Sequence, residues 1–235
     1  MKITVMSFNI QHCFNYVTEE IDFDAFVAEI RAMGADIIGL NEVRGDGPDP
    51  DYTEQAKTLG DMLGYNYYFG QSTLIDGVNP YGNAILSKYP IISAGVVGIP
   101  DPVAPAYDGY YETRSVLNAK IDVAGGLDVS VTHFGLNPDE AANAADTVLK
   151  QIRDERFVVM GDFNIEPDNP LLDPVRARLF DTAELFDGEK KSYPSDNPDV
   201  KIDYMFTSRD IKVLSADIPA HVVSDHRPYV TVIEL

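Results

Sequence analysis

Two short runs, Asp36–Leu40 (DIIGL) and Phe157–Met160 (FVVM), constrain the fold of this chain most. Consecutive apolar residues without alternation are the pattern of a strand covered on both faces. Such a strand needs layers above and below it, and the sequence around the first run supplies them. Residues 2–10 (KITVMSFNI) alternate and carry β-branched and aromatic types, so they read as a strand. Phe23, Phe26, Val27, Ile30 and Met33 fall on one helical face, and Gly34 stands where that helix would stop. A second helix is expected over Thr53–Leu63, ending at Gly64. Strand, helix, strand, helix in succession is an α/β rhythm.

The middle of the chain changes character. Residues 81–98, 112–123 and 127–134 read as successive strands parted by Pro and Gly, which predicts antiparallel pairing. Asn137-Pro138-Asp139-Glu140 opens a helix with capping-box spacing and Pro at its first position. Ala141, Ala145, Val148, Leu149 and Ile152 supply its buried stripe. Further strands are expected at Ile202–Phe206, Ile211–Leu214 and Tyr229–Ile233. Three loops stand out: acidic Val43–Asp51, the Gly98–Tyr111 loop with Tyr107, Tyr110 and Tyr111, and polar Lys191–Val200. The tyrosines of the second loop either stack on a substrate ring or pack against a sheet edge, and the packing reading is preferred.

At 235 residues the chain reads as one domain, residues 1–235, and a monomer is expected. No apolar run approaches a membrane span, and residues 1–5 enter a strand pattern without the long apolar stretch of a secretory signal. Cys13 is the lone cysteine, so no internal disulfide forms, which suits a cytoplasmic location. The formal charge of −20 is informative. Proteins that grip long polyanions neutralise phosphates with Lys and Arg, so this balance disfavours long nucleic acid and weighs less against a small anionic substrate. Solubility is the ordinary consequence of such charge.

Polar residues directly after, interrupting or directly before the apolar strands carry the chemistry. They are Asn9, Asn41-Glu42, His133, Asp162 and Asn164 in Gly161-Asp162-Phe163-Asn164, Asp203, and Ser224-Asp225-His226. In α/β sheets, sites form where strands terminate. Each residue alone has an ordinary reading: a turn-capping Asn or Asp, a solvated Glu, a structural His, an Asp paired with some Arg. Six coincident cases form a set. Asn and carboxylate oxygens with few His and one Cys suit Mg²⁺ or Mn²⁺ better than Zn²⁺. An Asp beside a His supplies a donor for a phosphoryl oxygen, and a second Asp near an Asn can position and deprotonate water. A G-x-S-x-G elbow, a Walker A loop and a G-x-G-x-x-G fingerprint are all absent.

These motifs, in this order, resemble those of the endonuclease/exonuclease/phosphatase superfamily. The matching segments are SFN (7–9), Asn41-Glu42-Val43, YGNAILSKYPI (81–91), ETR (112–114), Thr132-His133, GDFN (161–164), IDY (202–204) and SDHRP (224–228). The resemblance implies a four-layer α/β sandwich, two mixed sheets face to face with helices outside. It further implies that Asn9 and Glu42 sit at the metal with Asp225 nearby. Asp162 would orient or deprotonate water, Asn164 would contact the scissile phosphate, and His226, oriented by Asp203, would hold a phosphoryl oxygen. His133 would be a further phosphate contact. Arg114 either approaches the phosphate or pairs with Glu112, and Asn83 either lines the pocket or serves a turn.

The implied activity is metal-dependent hydrolysis of a phosphoester, a phosphodiester above all, by in-line attack of water. Inositol polyphosphate 5-phosphatases carry Trp in their signatures, and this chain has none. Apurinic-site endonucleases read Gln-Glu-Thr-Lys where this chain has Asn-Glu-Val-Arg. Secreted deoxyribonucleases and sphingomyelinases carry an export signal. A small or lipid-derived substrate is therefore expected, with a nuclease as the alternative. A non-catalytic module keeping the fold is the third reading, and such a module would be expected to have lost some motif residues.

Overall fold

The computed structural model describes residues 1–235. In chain order its elements are β1 (Lys2–Asn9), a short ribbon of β2 (Phe14–Asn15) and β3 (Glu20–Ile21), α1 (Phe23–Met33), β4 (Ile37–Arg44), α2 (Gln55–Leu63), β5 (Asn66–Ile75), β6 (Asn79–Ser87), β7 (Ile91–Gly98), β8 (Ser115–Ile121), β9 (Leu127–His133), α3 (Pro138–Gln151), β10 (Phe157–Asp162), α4 (Asp173–Arg178), β11 (Phe180–Asp181), β12 (Asp203–Thr207), β13 (Lys212–Asp217) and β14 (Tyr229–Glu234).

Local chemistry explains the helix ends. Asp22 accepts a hydrogen bond from Ala25 N at the start of α1, and Gly34 closes that helix in the left-handed region at φ 63°. At α3 the Glu140 carboxylate accepts from Asn137 N at 3.1 Å, the reach-back expected of the capping box.

The strands form two six-stranded mixed sheets, ordered β13-β14-β1-β4-β6-β5 and β11-β12-β10-β9-β8-β7. Three apolar clusters give the layering. Ile3, Val5, Ile37, Ile85, Leu117, Val131, Val158, Met160 and Met205 fill the space between the sheets. Phe26, Val27, Ile30, Ala56 and Leu59 of α1 and α2 pack on Met6, Phe8, Ile38 and Leu40, outside the first sheet. Ala141, Ala144, Ala145 and Val148 of α3 pack with Val175 of α4 on Val159, Tyr204 and Phe206, outside the second. This is the four-layer α/β sandwich, and each fully buried large side chain contributes about 1.5–3 kcal/mol to it. The sheets approach closely at Gly39, where a Cβ would meet Val131 Cγ2 at 2.7 Å.

Three expectations need correction. Residues 81–98 are two strands: Lys88–Pro90 breaks the run, sending β6 into the first sheet and β7 into the second. Residues 112–114 precede β8 rather than opening it. The strand beginning at Ile37 does not end at Asn41-Glu42 but continues to Arg44 through a bulge between Leu40 and Val43. β5 had no counterpart in the sequence reading, because as an edge strand it is largely half-buried and lacks clean alternation. The pairings β7–β8 and β8–β9 are antiparallel, as expected. No helix is long and apolar enough to cross a membrane.

Candidate active site

The alternation that fills the space between the sheets also builds a polar end to it. In β1 the face carrying Ile3 and Val5 continues with Ser7 and Asn9, since side chains two apart share a face. On the same face Ile37 leads to Asn41 in β4, Val131 to His133 in β9, Met160 to Asp162 in β10, and Met205 to Asp203 in β12. Register sets Asn9 beside Asn41, and places His133 and Asp203 on either side of Asp162. Apolar filling thus gives way to polar groups from both sheets at one end of the sandwich.

Hydrogen bonds lock the two sheets together there. Asn41 Nδ2 donates to Asn83 Oδ1 at 2.7 Å and to Thr132 O at 2.9 Å, and its Oδ1 accepts from Asp162 N at 3.0 Å. Asn83 Nδ2 donates onward to Ser115 O at 3.2 Å. Asn83 is therefore neither a turn residue nor free to line a pocket; it lies within β6, buried, with both side-chain functions engaged.

Asp162 is the centre of the cluster. Its Oδ2 accepts from Asn9 Nδ2 at 3.1 Å and lies 3.5 Å from Nε2 of both His133 and His226. Its Oδ1 accepts from Asn164 N at 2.9 Å. Gly161 before it has φ 144°, and a Cβ there would strike Thr132 O, so only glycine delivers Asp162 to this position. Asn164 is itself left-handed, at φ 50°, with Nδ2 donating to Phe134 O at 3.0 Å. Glu42 is also left-handed, at φ 59° within the bulge, and its Oε1 accepts from Asn9 Nδ2 at 3.0 Å. Such strained non-glycine residues persist only where their surroundings over-determine them.

The two histidines sit in opposite electrostatic settings. His226 Nδ1 lies 2.8 Å from Asp203 Oδ2. Burial alone would lower its pKa, but Asp203 and Asp162 outweigh burial and raise it to about 10. His133 is held well below the usual imidazole range by burial, by Arg114 and by His226. Arg114 Nη1 lies 2.7 Å from His133 Nδ1 and Asn164 Nδ2 lies 3.1 Å from His133 Nε2, so a donor faces each nitrogen of this ring. The same Arg114 pairs with Glu112 at 2.8 Å, both side chains nearly buried. Of the two expectations for Arg114, the structure contains the ion pair.

Asp225 lies beside this group, with Ser224 Oγ donating to its Oδ1 at 3.0 Å. The donor set fits a hard divalent cation. Glu42, Asp162, Asp203 and Asp225 bring four carboxyl groups together, the buried Oδ1 of Asp203 has no partner, and burial pushes the Asp162 and Asp225 carboxyls upward. Nearby positive charge is therefore insufficient, and a divalent ion would relieve the imbalance. Ligand atoms of Asp162, Asp203 and His226 lie within 4.8 Å of one another.

Two neighbours escaped sequence reading. Tyr81 lies against Glu42, where burial and that carboxylate push its hydroxyl up; its segment was noted for strand character and for its resemblance to a family motif, with no role given to the tyrosine. Tyr193 packs on His226 with ring centroids 4.9 Å apart; its loop read only as polar. Conversely, the packing preferred for the 98–111 tyrosines does not hold: Tyr107 is 49% and Tyr110 64% exposed, and Tyr111 donates its hydroxyl hydrogen to Asp139. A cleft of about 620 Å³ opens beside Asn164, lined in part by Leu136, Pro138, Ile165 and Leu171.

The chain matches the Endonuclease/Exonuclease/phosphatase family over residues 6–226. No curated protein matches it. Among solved structures, an endonuclease/exonuclease/phosphatase from Beutenbergia cavernae is similar at 24% identity and TM-score 0.81, over 100% of this chain and 72% of that one. One from Bacteroides vulgatus has 19% identity and TM-score 0.78, over 100% and 99%. The mannosyl-6-phosphatase of Bacteroides thetaiotaomicron has 17% identity and TM-score 0.78, over 99% and 100%. At these identities the likeness concerns the fold, whereas the match over residues 6–226 concerns the lineage: the chain belongs to the endonuclease/exonuclease/phosphatase family.

Proposed function

We propose that the protein hydrolyses phosphodiester bonds of small or lipid-derived substrates and depends on Mg²⁺ or Mn²⁺. The observation that carries this reading is Asp162 Oδ2, which lies within 3.5 Å of Asn9 Nδ2, His133 Nε2 and His226 Nε2. Burial raises the affinity of this carboxylate for a proton, so it can take one from water.

Asn9, Glu42 and Asp225 would hold the ion, which supplies Lewis-acid polarisation of a phosphoryl oxygen when bound. Asp162, fixed by Asn9 and Asn164 N, accepts the proton of the attacking water. The water oxygen bonds to phosphorus, the ester P–O bond opposite it breaks, and the alkoxide departs and takes a proton from solvent water to leave as the alcohol. His226 and Asn164 donate to phosphoryl oxygens, and Asp203 keeps the His226 ring aligned from behind. His133 is a further phosphate contact, and Arg114, paired with Glu112, positions its ring through Nδ1.

Charge supports a diester. A monoester dianion would meet four carboxyl groups with His226 as the cation in contact, whereas a diester carries a single charge. The net charge of −20 supports a small substrate over long nucleic acid.

A panel of monoesters, diesters, oligonucleotides and phospholipids, assayed with Mg²⁺ or Mn²⁺, tests this. Hydrolysis of bis-p-nitrophenyl phosphate, abolished by chelation, is expected, and duplex DNA should bind weakly at physiological salt. Failure on every phosphoester with metal present refutes the enzyme reading. Tight DNA binding at physiological salt refutes the charge argument.

A further inference from the structure

We propose that Tyr193 and Tyr16 form an aromatic rim that stacks on a flat ring carried by the substrate beside the scissile phosphate; this rests on the phosphoester reading above. Tyr193 and Tyr16 are each 37% exposed, and they approach the Val223–His226 segment from separate loops. Tyr16 reaches it from the β2–β3 ribbon, with its N–H donating to Val223 O at 2.8 Å. Tyr193 reaches it from the Lys191–Val200 loop and rests on the His226 ring. The two tyrosines thus flank the segment that carries Asp225 and His226.

The rim is rigid, which separates it from a chance pair of surface tyrosines. Ser192 N and Tyr193 N both donate to Val200 O, at 2.9 and 3.2 Å. Ser195 N donates to Asp225 O at 2.7 Å, and Ser195 Oγ to Ser224 O at 2.6 Å. Arg227 N donates to Ser192 O at 2.8 Å, and Arg227 Nε to Ser195 O at 2.7 Å. Ser192 and Ser195 are fully buried. On the other side, Asn15 Oδ1 accepts from Val17 N at 3.0 Å and Thr18 N at 3.3 Å, holding the turn that carries Tyr16. The backbones of both tyrosines are thus tied, directly or through neighbours, to the segment that carries Asp225 and His226. A tyrosine already fixed in place loses little freedom when a ring stacks on it. Fixed phenol faces favour a planar ring over a flexible alkyl chain.

The test compares the monomethyl esters of phenylphosphonate and methylphosphonate, two monoanions differing in the ring, by calorimetry on the Mg²⁺-loaded protein. Removal of a stacking aromatic typically costs about fivefold to a hundredfold in affinity. Wild type should prefer the phenylphosphonate ester by at least about fivefold. Y193A should bring the ratio close to one, Y193F should keep it, and Y16A, on a different loop, should reduce it. No ring preference in the wild type, or a preference surviving in both Y193A and Y16A, overturns the proposal. If Tyr193 merely supports His226, Y193A lowers kcat on bis-p-nitrophenyl phosphate and leaves the phosphonate ratio unchanged, which also overturns it. Hydrolysis of phosphoesters without ring preference sinks the rim alone. Absence of both hydrolysis and phosphonate binding sinks the phosphoester reading with it.

Discussion

Replacing Asn41 with Ala should destabilise the protein far more than its size suggests. The side chain is fully buried and makes three hydrogen bonds, two of them across the sandwich: to Thr132 O and from Asp162 N in the facing sheet, and to Asn83 Oδ1 in its own. Truncation leaves those three partners buried and unpaired. An orphaned buried group costs about 1–3 kcal/mol, so the upper range approaches about 9 kcal/mol. The space vacated by the carboxamide is polar and admits one water, which recovers part of this. The expected loss is about 3–5 kcal/mol, a large share of the roughly 5–15 kcal/mol that keeps a domain folded. Urea unfolding should show a lower midpoint with unchanged slope. Asn143→Ala is the control, since its amide donates to Pro100 O at the surface and should lose less than about 1 kcal/mol. The double variant N41A/N83A should lose less than the sum of the singles, because they share the 2.7 Å bond. A loss below about 1 kcal/mol for N41A, or additivity in the double variant, refutes the claim that this network ties the sheets together.

Other perturbations separate catalysis from stability. Asp162→Asn should lower turnover by about 10²–10⁴-fold, the usual contribution of a proton-transferring side chain. It should also raise the melting temperature of the chelated protein, since it removes one of four crowded carboxyl groups; a near-normal rate would discard the assigned role. Mg²⁺ at about a hundredfold over its dissociation constant should stabilise the wild type by about 2.7 kcal/mol, read as a melting shift. Glu42→Gln should shrink that shift, and an undiminished shift would place the ion elsewhere. Arg114→Met leaves Glu112 buried without its partner and should cost about 3–5 kcal/mol, with much of the loss recovered in E112Q/R114M. A double variant no more stable than R114M would mean that the lost ion pair is not the cause.

Much of this molecule is legible in its sequence because the signals are local. An unalternating run such as Phe157–Met160 states that both faces are covered, and the Asn137–Glu140 spacing states where a helix begins. Asn9, His133, Asp162, Asp203 and His226 stand out because polar groups at those places conflict with the apolar runs beside them. Tertiary structure decided matters that depend on partners far away in the chain. Lys88–Pro90 marks a break, yet only pairing sends β6 to one sheet and β7 to the other. Edge strand β5 lacks alternation because only part of it is covered. Asn41 bonds Thr132 across 91 residues, and Glu42 reaches Asn9 through a bulge that no local pattern announces. Tyr193 gains its meaning only from the His226 ring beneath it. Periodicity records which face a side chain takes and whether that face is dry, whereas hydrogen-bond partners between distant strands are selected by packing of the whole sandwich.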